Sequence, residues 1–106
     1  QHSSKKALAE RSFAESLSHL EAGELPTAAS SLETSLAVWP SLDALNTYLG
    51  VAANFHARGE YAAAEACWRY ALQVDPHSLE VSEALAVTLW LSGGEARLKE
   101  AAEALY

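Results

Sequence analysis

The chain repeats itself with a period near 36 residues, and this limits what it can fold into more than any other feature. Gly23, Leu25, Ala28, Leu32, Leu36, Val38 and Pro40 are followed 36 residues later by Gly59, Tyr61, Ala64, Trp68, Leu72, Val74 and Pro76. Val51, Ala52, Phe55 and Gly59 recur 34 residues on as Leu85, Ala86, Leu89 and Gly93. A fixed period in this range is the signature of stacked supersecondary units, each too small to bury its own apolar face. Each glycine stands where one amphipathic run stops and another starts, and supplies the positive φ that ends a helix. Pro40 and Pro76 follow the second run of a pair, where a helix cannot continue. Nothing alternates with period two, so no strand is predicted.

The spacing predicts six helices: about Ser4 to Ala22, Pro26 to Val38, Leu42 to Ala57, Glu60 to Val74, Leu79 to Leu91, and Ala96 to the end. Ser41 and Ser78 are the expected caps of the third and fifth. Pro26 suits a first turn, where its missing N–H costs nothing. Ala52, Ala64 and Ala71 fall where antiparallel helices would cross most closely, and Tyr48, Phe55, Tyr61 and Trp68 fill space between pairs.

The segment Leu45–Ser78 carries Tyr48, Val51, Ala52, Phe55, Gly59, Tyr61, Ala64, Trp68, Ala71 and Pro76. This set resembles the tetratricopeptide repeat, in which a first-helix aromatic, a small crossing residue, a turn glycine, a second-helix aromatic and alanine, and a closing proline recur at these spacings. The resemblance implies an all-α, right-handed superhelical solenoid of three repeats, about 7–40, 41–78 and 79–106, forming one domain with first helices on the concave side. In the first copy the pattern fits with a slipped register that puts Phe13, Leu17 and Leu20 inward. The third has Ser82 at the aromatic position and an insertion around Gly93, Gly94 and Glu95, after which Leu98, Ala101 and Leu105 resume the pattern.

Composition narrows the function. The 106 residues are half apolar and carry seven Lys and Arg against fourteen Asp and Glu, a net charge of −7. A phosphate-binding surface needs clustered cations, so nucleic acid is not an expected partner; an apolar or basic protein segment is. No apolar run reaches the roughly 20 residues that cross a bilayer, and no direct membrane insertion is expected. The chain has no methionine, which leads to the expectation of a piece of a longer protein; QHSSKK reads as a linker or as the first turn of helix one. Its one cysteine, Cys67, excludes an internal disulfide and a thiolate metal cluster and reads as a small buried thiol.

The resemblance implies a groove on the first helices: Leu17 in the first copy, Leu49, Ala53 and His56 in the second, Glu83, Val87 and Trp90 in the third. Lysine, asparagine and arginine at such sites clamp the acidic C-termini of chaperones in part of the family. Here the sites hold apolar residues and glutamate, so a mainly apolar groove for an amphipathic helix or extended segment is expected. Trp90 has two readings, a groove anchor or a residue packed on helix six or a neighbouring chain. His19 and His56 lack a third ligand at metal spacing, the carboxylates fall on solvated helix faces, and Gly93-Gly94 lacks the lysine of a phosphate loop. No catalysis, metal or cofactor is therefore expected. Three roles remain: an adaptor or scaffold module; a bacterial assembly or secretion chaperone for a pilus, needle or secreted subunit, cytoplasmic or periplasmic; or self-association of a homo-oligomer through Leu98, Leu105 and Tyr106.

Overall fold

The computed structural model describes residues 2–94, 99, 102 and 103. Among these the chain is all-α, with five helices: α1 (His2–Glu21), α2 (Leu25–Val38), α3 (Leu42–Ala57), α4 (Tyr61–Val74) and α5 (Leu79–Gly93). The predicted third helix has the observed bounds, and the other four agree to within two residues. The predicted sixth helix, like Leu98, Leu105 and Tyr106, falls mainly or wholly outside the described residues.

Two turns repeat in atomic detail. After α1, the Gly23 N–H donates to Leu20 O at 3.0 Å and the Glu24 N–H to His19 O at 2.8 Å. After α3, the Gly59 N–H donates to His56 O at 3.0 Å and the Glu60 N–H to Phe55 O at 2.9 Å. Both are Schellman closures, in which two orphan carbonyls are satisfied by a left-handed residue and its successor. Gly23 and Gly59 adopt φ of 78° and 77°, a region that a Cβ disfavours. The ends of the second helices also correspond. Trp39 and Asp75 each precede a proline, which excludes the helical region for them. They are extended, at φ −155° and −134°, and their N–H groups close the last turn on Ser35 O and Ala71 O. Ser41 and Ser78 then cap the following helices, accepting from the N–H groups of Ala44 and Val81 at 3.1 and 3.2 Å.

The third glycine turn departs from the expected period. Gly93 closes α5 as a helical residue, and the positive φ, 69°, belongs to Gly94.

The chain divides within α3 into two compact units, Gln1–Val51 and Ala52–Tyr106. In the first, α1 and α2 pack as an antiparallel hairpin whose close approach is fixed by small residues. The buried face of α1 is Ala9, Ser12 and Ser16, and α2 answers with Leu25, Ala28, Ala29, Leu32, Ser35 and Leu36. Ser35 Oγ donates to the Ala9 carbonyl at 2.8 Å, tying the end of α2 to the start of α1. This corrects the expected register: Phe13 and Leu20 are half-buried and Leu17 is 41% exposed. Serines carry the inward stripe, and Ser16 satisfies its buried hydroxyl by donating to the Phe13 carbonyl. Tyr48 is fully buried in this unit, with its hydroxyl on Glu33 Oε2 at 2.8 Å.

In the second unit the core comprises Ala52, Phe55, Ala64, Cys67, Trp68, Ala71, Val81, Leu85, Thr88 and Leu89. Burying each large member stabilises by roughly 1.5–3 kcal/mol. On α5 the buried set is Val81, Leu85, Thr88 and Leu89, each 37 residues after a buried residue of α3: Ala44, Tyr48, Val51 and Ala52. The inward face of α5 thus follows a 37-residue offset. The reason is the cap: Asp75–Ser78 holds one residue more than Trp39–Ser41, so α5 starts one residue later.

Candidate functional site

In the second unit, α3, α4 and α5 together leave an apolar hollow of about 220 Å³, lined by Ala53, His56, Trp68, Ala84 and Val87. It exists because two of its positions hold alanine. Ala53 from α3 and Ala84 from α5 do not fill the space over the Trp68 ring.

Beneath the hollow runs a short polar chain. Thr88 is fully buried, and its hydroxyl oxygen accepts the Trp68 indole N–H at 2.9 Å. The same oxygen lies 3.1 Å from His56 Nδ1. An indole N–H is a donor only, so Trp68 takes one lone pair of Thr88. The contact with His56 then runs in either direction, according to the tautomer of the ring. The His56 ring also meets Tyr61 edge-on, with centroids 5.3 Å apart and planes at 68°. One imidazole is therefore held from two sides at the border of an otherwise apolar surface. Such a surface can receive apolar side chains and offer one hydrogen-bonding group.

Three of the expected groove residues, Ala53, His56 and Val87, come together here. Glu83 is exposed on α5 one turn before Val87, and Trp90, one turn after it, is 53% exposed. Leu49 is half-buried and Leu17 exposed, and both belong to the first unit. Trp68, read from the sequence as core, is buried and also forms part of the hollow. Ala84 and Thr88 were not among the expected site residues. An alanine and a threonine among the apolar residues of α5 carry no signal until the facing helix shows what they meet.

Elsewhere, His19 Nδ1 pairs with Glu24 Oε1 at 2.9 Å, and Arg69 Nε with Glu65 Oε2 at 3.0 Å. Among the described residues no three His, Cys, Asp or Glu side chains gather as a metal site. Cys67 is buried. No described helix is long and apolar enough to cross a membrane. No family model, curated protein or solved structure matches the chain.

Proposed function

We propose that the chain is a tetratricopeptide-like helical repeat, stacked as a right-handed solenoid, that acts as a non-enzymatic protein-interaction module. The single observation that carries the reading is the hollow over Trp68. Ala53, His56, Ala84 and Val87 leave it open, and Val87 and Trp90 beside it are each more than half exposed. Exposed tryptophan next to an apolar concavity is a recurrent anchor for a partner's side chain. The doubled glycine turn and the paired proline ends support the repeat. The partner's role is to supply an apolar segment, helical or extended, that covers this surface.

Selection of a displayed random 16-residue peptide library on the chain tests the reading. Enriched peptides should bind the Val87→Glu variant at least ten-fold more weakly, because a carboxylate would have to be desolvated in the hollow. Val87 is half exposed, so the variant should keep its helical circular dichroism. Equal binding to a folded Val87→Glu variant overturns the assignment of the hollow.

A further inference from the structure

The surface beside the hollow is chemically polarised. Counted from Glu80, the residues Glu83, Ala84, Val87, Trp90 and Leu91 stand at i+3, i+4, i+7, i+10 and i+11 on α5, and so share one face of the helix with it. Glu80, Glu83, Val87, Trp90 and Leu91 of this face are exposed. Its first half carries two carboxylates, its second half Val87, Trp90 and Leu91, which are 51%, 53% and 50% exposed. The helix has no basic residue from Leu79 to Gly93. Leu91 lines a second hollow with Gly59, Glu60 and Tyr61 of the α3–α4 turn. On α5 itself the negative charge is therefore concentrated toward the start. Glu83 to Trp90 spans about 10 Å of helix axis.

We infer that the occupant of this surface is a basic amphipathic segment bound in one direction: its apolar side chains over the Trp68 hollow and Trp90, its Lys or Arg against Glu83 and Glu80. The inference rests on the reading of the hollow as a docking surface and adds the charge and polarity of the partner. Charge complementarity selects it. An acidic segment would meet like charge at Glu80 and Glu83, and an uncharged one would gain nothing from either carboxylate. Apolar contact supplies most of the affinity, while the carboxylates set register and orientation.

The peptides enriched on the wild-type chain give the test. Those dependent on Val87 should carry Lys or Arg about two helical turns from a Leu, Phe or Trp. Their affinity should fall about ten-fold in the double variant Glu80→Lys/Glu83→Lys, and Lys→Glu versions of the same peptides should recover binding to it. Spin labels at the two peptide ends should place the basic end nearer residue 80 than residue 91. Val87-dependent peptides without basic residues, or unaffected by the double variant, overturn this inference and leave the docking surface standing. Absence of any Val87-dependent peptide overturns both.

Discussion

Thr88 is the residue on which the second unit turns. It is polar and fully buried, and it serves as the hydrogen-bond partner of both Trp68 and His56. Replacing it with the isosteric valine leaves the indole N–H buried without an acceptor, which costs the desolvation of that group. Thr88→Val should therefore destabilise the chain by about 1–3 kcal/mol in urea unfolding, and Thr88→Ser should restore most of the loss. Valine and serine variants of equal stability would show that the hydroxyl contributes only shape. His56 should also lose its fixed ring position in the valine variant, visible as altered nuclear magnetic resonance shifts of its imidazole. At this scale the sequence was partly legible. Ala53, His56 and Val87, which line one hollow, were expected through the resemblance to the tetratricopeptide repeat. Thr88 was not, because periodicity weighs apolarity and a threonine counts against a buried stripe. Ser12, Ser16 and Ser35 hid the inward face of the first hairpin for the same reason.

The helices themselves were easier to read, since their ends are written in residues with strong local preferences. Prolines set the ends of α2 and α4, serines the starts of α3 and α5, and glycines the closures of α1 and α3. Two glycines make opposite predictions. Gly59 has φ 77°, so Gly59→Ala should destabilise by about 1 kcal/mol or more even though a Cβ there meets nothing within 4 Å. Gly50 lies inside α3, exposed, with helical backbone and equally open space. Gly50→Ala should stabilise by about 0.5–1 kcal/mol, since alanine loses less backbone entropy on entering a helix. Thermal melts of the two variants check both signs, and a shift in the same direction would overturn the conformational argument. What local preference did not disclose was the end of α5: two adjacent glycines could each supply the positive φ, and it falls on Gly94 rather than Gly93.

For the molecule as a whole, the division within α3 raises the question of how many cooperative transitions the chain has. Each unit holds about 50 residues, a size at which one apolar core is marginal. Because α3 runs unbroken through the boundary, loss of one unit removes half of a helix of the other, and both should unfold together. Hydrogen exchange under native conditions is the direct measure. Thr88→Val should lower the protection of Leu32 and Leu36 in the first unit as much as that of Leu85 and Leu89 in the second. Loss confined to Leu85 and Leu89 would mean two separate transitions.

The matched turns at Gly23 and Gly59 have a consequence for how such a chain can grow. The backbone leaves α1 and leaves α3 through the same pair of hydrogen bonds, donated by Gly23 and Glu24 in one case and by Gly59 and Glu60 in the other. The stretch from Glu24 to Gly59 is thus a cassette whose two junctions are interchangeable. Duplicating it in frame joins Gly59 to Glu24 and needs no new loop geometry. Copying the glycine-to-glycine segment whole keeps both turns intact, whereas copying a single helix would break one of them.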